Sequence, residues 1–327
     1  MRKTKSLLPS SLVISTMLIA CTPKSLLTSS ERMLENTEKI AVDELTVNYT
    51  YSSNFSKKSK TLLLIHGFGA SLESWNDIVP SLEKYNSIVR LDLRGHGLTD
   101  KPKDKQYKIE DQALLVIKFI KALQLKHIIL VGHSYGGGIA LMTYLISMDM
   151  SNSFSIDGLV LIASAGYKQK FPFFVEAVKN PATQFISNMF PSTYRARVLL
   201  KNIFLVQSQI TEDRVETYAK YFDVPGAHYA ISQCALHLIP EDLDFWISKY
   251  KNISVPVLLI WGQQDSVIST ETGKRFEGDI PGATLVIFPN TGHVPHEERP
   301  LLTYETIQNF LGSFKCCLLY TSDAADE

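Results

Sequence analysis

The 327-residue chain is predicted to fold as an α/β protein, in which a doubly wound, mostly parallel sheet lies between layers of helices. Short runs rich in Ile, Leu and Val recur along the chain, and helical patterns separate them. Each run is apolar almost throughout, as a parallel strand covered on both faces requires. The predicted strands are Thr61–His66, Ser87–Asp92, His127–Gly132, Gly158–Ala163, Val255–Trp261 and Ala283–Pro289. The predicted helices are Leu72–Lys84, Ile109–Leu123, Tyr135–Met148, Thr270–Glu277 and Leu301–Phe314.

The interval between the strands ending at Ala163 and starting at Val255 holds about ninety residues, which is too many for an ordinary loop. It contains Phe- and Pro-rich stretches and helical patterns over Val198–Val206 and Glu212–Phe222. We therefore predict a helical cap over the carboxyl edge of the sheet, with residues 167–249 forming the cap and residues 39–166 and 250–316 forming the core.

The N-terminus has the pattern of an export signal. Three basic residues precede a short apolar run that ends at Leu18-Ile19-Ala20-Cys21. These last four residues resemble the lipobox of bacterial lipoproteins, which implies a signal peptide over residues 1–20, cleavage before Cys21 and a lipid on its sulfur. Residues 21–38 would be a tether. We expect an exported protein anchored to a bacterial membrane by Cys21, and Thr22 in place of Asp favours the outer membrane by resemblance to lipoprotein sorting.

The C-terminal residues 317–327 resemble the in-frame translation of a sequencing-library adapter, so we expect them to carry no biology. With Cys21 lipidated and Cys317 spurious, Cys234 and Cys316 are the only possible disulfide pair, and we predict no structural disulfide. Neither a Cys-x-x-Cys motif nor a His cluster indicates a metal site, and no cofactor is expected. The 33 basic and 33 acidic residues balance, which argues against a nucleic-acid partner.

The stretch Gly132-His133-Ser134-Tyr135-Gly136 places a serine on the turn between a predicted strand and a predicted helix. This Gly-x-Ser-x-Gly pattern in this context predicts a nucleophile elbow, where the tight turn projects the hydroxyl clear of the sheet. Ligands of such sheets bind outside the carboxyl ends of the strands, where this turn lies. Ser134 is therefore the predicted nucleophile.

A serine hydroxyl needs a base, and the base needs an orienting acid. His293 follows the last predicted strand in a loop and is the preferred base; His296 is its chief rival, and His133 and His96 are weaker ones. For the acid we predict Asp265, which follows the preceding strand.

Asp92 is the alternative acid. It begins the stretch Asp92-Leu93-Arg94-Gly95-His96-Gly97, and we expect it to fix that loop by hydrogen bonds instead. The end of the strand Gly158–Ala163, the other place for an acid, offers no carboxylate.

The order Ser134, Asp265, His293, together with His66-Gly67-Phe68-Gly69 and the Asp92 loop, resembles the α/β-hydrolase superfamily from about Leu45 to Phe314. The resemblance implies the α/β-hydrolase fold, with the cap inserted after the strand Gly158–Ala163, β6 in the order of that fold. It also implies an oxyanion hole formed by the backbone N–H groups of Phe68 and Tyr135.

Within this superfamily, epoxide hydrolases and haloalkane dehalogenases use an Asp nucleophile, which Ser134 argues against. The Ser elbow, the lipoprotein signal and the Phe-rich cap favour hydrolysis of small-molecule carboxylic esters through an acyl-enzyme, as in membrane-attached bacterial lipases and esterases. The serine-based alternatives are a C–C bond hydrolase of ring-cleavage products, a perhydrolase and an aminopeptidase. A ligand-binding receptor on the same fold is the non-enzymatic alternative.

Overall fold

A computed structural model of the chain describes residues 37–57 and 59–322, with side chains described as far as residue 313. The predicted signal peptide, Cys21 and all but the last two residues of the predicted tether lie outside the described residues. Residues 323–327 of the predicted adapter segment lie outside them as well. Within the described part of the chain, no helix has the length and apolar composition needed to cross a membrane.

Eight strands form one sheet in the order β1-β2-β4-β3-β5-β6-β7-β8. They are β1 Glu38–Val42, β2 Leu45–Tyr51, β3 Lys60–Ile65, β4 Ser87–Leu91, β5 His127–His133, β6 Ser155–Ile162, β7 Val257–Gly262 and β8 Thr284–Phe288. The pairs β1/β2 and β2/β4 are antiparallel, and every other neighbouring pair is parallel. The predicted mostly parallel α/β sheet is confirmed.

Twelve α-helices are formed by the described residues: α1 Val79–Leu82, α2 Ile109–Leu123, α3 Tyr135–Met148, α4 Phe173–Lys179, α5 Pro181–Ser187, α6 Ser192–Ile203, α7 Glu212–Ala219, α8 Ala227–Leu236, α9 Leu243–Lys249, α10 Thr270–Asp279, α11 Pro295–Glu298 and α12 Pro300–Ser322. Six of them, α4 to α9, lie between β6 and β7, so the helical cap is inserted after β6 as predicted. The cap patterns are displaced by a few residues: the pattern Val198–Val206 corresponds to α6, and Glu212–Phe222 to α7.

The two faces of the sheet pack against separate hydrophobic clusters, and β3 shows how. Leu63 and Ile65 lie in one cluster with residues of α2 and α3. Leu62 and Leu64 lie in the other with Trp75 and residues of α1. Alternate side chains of a strand point to opposite faces, so a strand covered on both sides is apolar at every position.

One local prediction was wrong, and one element of the sheet was not predicted. The predicted helix Leu72–Lys84 is broken into a 3₁₀ turn, Leu72–Trp75, and the four-residue helix α1. Ser71 caps the first piece by accepting the Glu73 N–H, and Pro80 lies in the first turn of the second. Proline suits the start of a helix and disrupts its interior, which accounts for the interruption. The hairpin β1–β2 was not predicted.

Candidate active site

Ser134 lies between β5 and α3 in a backbone conformation that side-chain-bearing residues rarely adopt, with φ 52° and ψ −117°. The glycines on either side permit this turn. A Cβ on Gly136 would lie 2.3 Å from the carbonyl oxygens of Ile65 and His66, and a Cβ on Gly132 would lie 2.4 Å from the Gly136 carbonyl oxygen. Strand, turn and helix are thus packed too closely for any other residue, and the strain is concentrated at the serine.

Ser134, His293 and Asp265 form one hydrogen-bonded chain. The Oγ of Ser134 lies 2.9 Å from Nε2 of His293, and Nδ1 of His293 lies 2.8 Å from Oδ2 of Asp265. Both the imidazole and the carboxylate are buried. The other oxygen of Asp265, Oδ1, accepts the N–H groups of Val267 and Ile268. These two bonds orient the carboxylate toward the imidazole.

The other candidate imidazoles do not contact Ser134. His133 Nε2 donates to the backbone oxygen of His293 at 2.9 Å, so His133 supports the loop that carries the base. His296 packs between Trp75 and His133. His96 lies against the rings of His66, Phe68 and Tyr135. Burial lowers the pKa of His96 and of His296 to about 3 and lowers that of His133 well below its usual range, so all three rings are neutral.

Asp92, the alternative acid, is committed to the loop that follows it. Its Oδ2 accepts the Leu98 N–H and the Asn48 side-chain amide, and its Oδ1 accepts the Leu72 N–H. A Cβ on Gly97 would lie 2.1 Å from the Asp92 carboxylate. The carboxylate therefore organises the turn and is not available to orient His293.

The N–H groups of Phe68 and Tyr135, the expected oxyanion donors, have no hydrogen-bond partner among the described residues. Tyr135 begins α3, where backbone N–H groups are left free to bind an anion. The Phe68 loop is fixed by His66, whose Nδ1 donates to the Gly67 oxygen at 2.8 Å and whose Nε2 accepts the Leu93 N–H at 3.1 Å.

Glu298 was missed by the sequence analysis. It joins the His293 loop to the cap: its Oε1 accepts the Gly292 N–H at 2.8 Å, and its Oε2 accepts the N–H groups of Leu205 and Val206 at 3.0 and 3.2 Å. The N–H of His293 itself donates to the Ile203 oxygen at the end of α6. A carboxylate close after the loop was visible in the sequence, but nothing there indicated which backbone groups it binds.

Glu297, the preceding residue, contacts a different part of the cap. It pairs with Arg214 and accepts the Tyr218 hydroxyl at 2.5 Å, and Arg214 also pairs with Asp77 at 2.8 Å. Burial raises the pKa of the Glu297 carboxyl to about 7, although Arg214 opposes the rise.

Two adjoining cavities reach the site. A small one of about 60 Å³ contains Ser134 and His293, and a chamber of about 420 Å³ lies beneath α4, α5 and α6. Four apolar residues line both cavities: Phe68, Ala70, Phe174 and Leu199. Of the described residues that line the small cavity, none is Lys or Arg. No cluster of His, Cys, Asp or Glu in the described part of the chain is arranged to hold a metal ion, and Cys234 is buried as a free thiol.

Comparison with known proteins gives consistent matches to hydrolases. The profile of the alpha/beta hydrolase fold family matches residues 60–300. The chain is 31% identical over 278 residues to the uncharacterized hydrolase YugF of Bacillus subtilis, covering 84% of this chain and 97% of that protein. It is 28% identical to Lipase 1 of Psychrobacter immobilis, covering 76% and 75% of the two chains. The structure of the meta-cleavage product hydrolase CumD from Pseudomonas fluorescens IP01 superposes with a TM-score of 0.71 at 24% identity, covering 86% and 99%.

Proposed function

Since the chain belongs to the alpha/beta hydrolase fold family, we propose that it is a serine hydrolase that cleaves carboxylic esters through an acyl-enzyme intermediate. The hydrogen-bonded chain Ser134–His293–Asp265 carries this proposal. A strained serine at a helix N-terminus, with an imidazole at 2.9 Å and a buried carboxylate behind it, is the arrangement that activates a hydroxyl for acyl transfer.

In the proposed first half-reaction, Oγ of Ser134 attacks the ester carbonyl carbon while Nε2 of His293 accepts the hydroxyl proton. The C=O electrons move to oxygen, and the resulting oxyanion is bound by the N–H groups of Phe68 and Tyr135. Collapse of this intermediate breaks the C–O bond to the alcohol, which leaves with the proton from His293. Asp265 holds Nδ1–H in place and stabilises the imidazolium.

In the second half-reaction a water molecule gives its proton to His293 and attacks the acyl carbon. The second oxyanion collapses, the acid is released and Ser134 regains its proton. No step requires a group outside this chain and water. Loss of a single oxyanion donor costs about 3 kcal/mol of transition-state stabilisation in other enzymes of this chemistry.

The residues that line the cavities favour a substrate with an apolar acyl or alcohol group. The chamber is lined mainly by aromatic and aliphatic side chains and meets the small cavity at Phe68 and Phe174. Similarity to Lipase 1 also supports an apolar acyl or alcohol group in the substrate. The second candidate, hydrolysis of a C–C bond in a ring-cleavage product, is supported by the likeness to CumD. Such products carry a carboxylate. Among the described residues, no Lys or Arg lines the small cavity to bind it, whereas Arg195 lines the adjoining chamber.

The test is a panel of p-nitrophenyl esters of rising chain length, run beside a ring-cleavage product and an aminoacyl amide. A fluorophosphonate probe reports Ser134 independently of substrate choice. We expect the parent protein to be labelled and to hydrolyse esters. In Ser134→Ala, neither the labelling rate nor the ester turnover should exceed about a millionth of the parent rate. Labelling without ester turnover would reject ester hydrolysis, and absence of labelling in folded protein would reject the serine mechanism.

We further propose that the hydrolase is held on a bacterial membrane through lipid on Cys21, with the outer membrane favoured because Thr22 follows it. The basic start and the short apolar run before Cys21 support this. The parent should incorporate labelled palmitate in a bacterial host and Cys21→Ser should not. Equal incorporation in both would show that Cys21 is not the acylated residue.

A further inference from the structure

The outer face of the cap exposes apolar side chains around the opening of the chamber. Five residues both line the chamber and reach solvent, and we call them the mouth residues: Phe173, Ile186, Phe190, Tyr194 and Val198. Phe173 is 82% exposed. Single exposed apolar residues are ordinary, but a group of this size around one opening marks a binding surface.

Two sequence neighbours of the mouth residues are exposed without lining the chamber. Phe185 and Met189 do not line it, yet they are 71% and 74% exposed. Phe185 lies in α5, and Met189 lies in the turn two residues after the end of this helix. None of the seven residues of α5 is buried. This short helix therefore presents apolar surface outward without using it for packing.

Basic residues border this surface. Lys170 lies three residues before Phe173, and Lys201 follows Val198 by three residues on α6. Neither lysine has an ion-pair partner among the described residues. Of the acids on the neighbouring helices, Glu176, Glu212 and Asp223 are paired with Lys179, Arg197 and Arg195. Asp213 and Glu216 on α7 are exposed and form no ion pair with a described residue. Lys170 and Lys201 thus place two ammonium groups, free of ion pairs with described residues, close in sequence to the mouth residues.

We propose that the mouth residues, Phe185 and Met189 form a docking face for a lipid bilayer that contains anionic headgroups. An apolar patch with a basic border fits the boundary between headgroups and acyl chains. The chamber also opens on this face, because the mouth residues both line it and reach solvent. A bilayer seated there continues the chamber with a second apolar phase, whereas a protein seated there would close it. Docking needs neither Cys21 nor hydrolysis, so it goes beyond the proposed function.

The test uses the chain from Thr22 onward, which keeps the whole described unit and lacks the predicted lipid site. Ser134→Ala is added so that vesicle lipids cannot be consumed. We measure co-sedimentation with vesicles of phosphatidylcholine, alone or mixed with phosphatidylglycerol. Phe185→Asp with Met189→Asp should weaken partitioning by at least about tenfold, because two apolar side chains no longer enter the bilayer.

The matched control replaces two residues outside the cap that are equally exposed. Tyr85 and Leu301 are 75% and 63% exposed, and Tyr85→Asp with Leu301→Asp should bind like the parent. Lys170→Glu with Lys201→Glu should lower the preference for anionic vesicles by about thirtyfold or more, since each of the two lysines near a charged surface contributes about 1 kcal/mol.

Three results would overturn the proposal. The parent could fail to sediment with either vesicle, or the cap and control variants could bind alike. The parent could also be a dimer in sedimentation velocity that Phe185→Asp with Met189→Asp dissociates, without vesicle binding, which would make the face a contact between copies of this chain. Turnover of soluble p-nitrophenyl butyrate by Ser134-containing protein, measured alongside, tests the proposed function separately, because Phe185 and Met189 line neither cavity.

Discussion

Removing the Glu298 carboxylate should displace His293 without touching any reacting atom. One oxygen of Glu298 binds the N–H of Gly292, directly before His293, and the other binds the cap backbone at Leu205 and Val206. Glu298→Ala leaves all three N–H groups without this partner. Glu298→Gln keeps the shape of the side chain, but its NH₂ must face an N–H group.

The Gly292 N–H is fully buried, whereas the cap N–H groups are only partly so and water can reach them. A buried donor left unpaired costs about 1–3 kcal/mol, and bonds to a charged acceptor are worth about 1.5–3 kcal/mol. We therefore expect Glu298→Ala to lower the free energy of unfolding by about 2–4 kcal/mol and the Tm by about 3–7 °C. Glu298→Gln should lower the free energy of unfolding and the Tm by about half as much as Glu298→Ala does.

The effect on turnover should exceed the effect on binding. A shift of about 1 Å in a catalytic group costs about a hundredfold in rate, so Glu298→Ala should lower kcat by about that factor with KM little changed. Ester turnover at a temperature where both variants are folded, with thermal unfolding measured in parallel, checks this. Glu305→Gln, an exposed residue on α12, is the control. If Glu298→Gln and Glu298→Ala keep kcat within twofold of the Glu305 variant, Glu298 does not position His293.

Three further outcomes are expected. His293→Ala should abolish ester turnover, whereas folded His296→Ala should keep more than about a tenth of it, because His296 contacts Trp75 and His133 but not Ser134. The opposite pattern would show that His296, and not His293, is the base. Gly136→Ala should lower the Tm and turnover, since its Cβ would meet backbone oxygens at 2.3 Å, at a cost of about 1–3 kcal/mol or more. Gly278→Ala is the control and should be tolerated, because its Cβ would have no neighbouring atom within 4 Å. Equal Tm values for the two variants would show that the elbow can relax. The pKa of Glu297 is raised from 4.5 to about 7, so the folded state binds this proton more tightly than the unfolded state does. The contribution of this proton to stability is therefore complete below about pH 4.5 and is lost as pH rises through about 7. Urea unfolding across this range should show a flatter pH dependence for Glu297→Gln, and an unchanged profile would contradict the assignment.

The parallel strands could be predicted because burial on both faces leaves a local trace. Residues Leu62 to Ile65 are apolar in succession since two layers of helices cover them. The β1–β2 hairpin lies at the edge of the sheet and leaves a weaker pattern in the sequence. Leu45, Val47 and Tyr49 alternate with polar residues, and this alternation was the available signal. Of these polar residues, Asn48 and Thr50 are nevertheless buried, because Asn48 donates to Asp92 and Thr50 accepts from Arg90.

The elbow was predictable for a related reason: its chemistry and its backbone strain require particular residues at fixed spacing. The partners of Glu297 and Glu298 follow no such rule. Arg214 is 83 positions from Glu297 in the chain, and Leu205 is 93 from Glu298. Only the packing of the cap on the core brings them together, so no local pattern could identify them.

These contacts also indicate how substrate reaches Ser134. The half of the cap formed by α6 and α7 is tied to the His293 loop by the Ile203 oxygen, by the Glu297–Arg214 pair and by Glu298, and Val294 packs into its hydrophobic cluster. Lifting this half would expose paired buried charges and would pull on the base itself. By contrast, α5 buries no residue, and segments with few buried contacts open at the lowest free energy. Substrate is therefore expected to pass between α5 and the mouth residues of α4 and α6, Phe173, Tyr194 and Val198, so that the catalytic hydrogen bonds stay intact while the chamber fills.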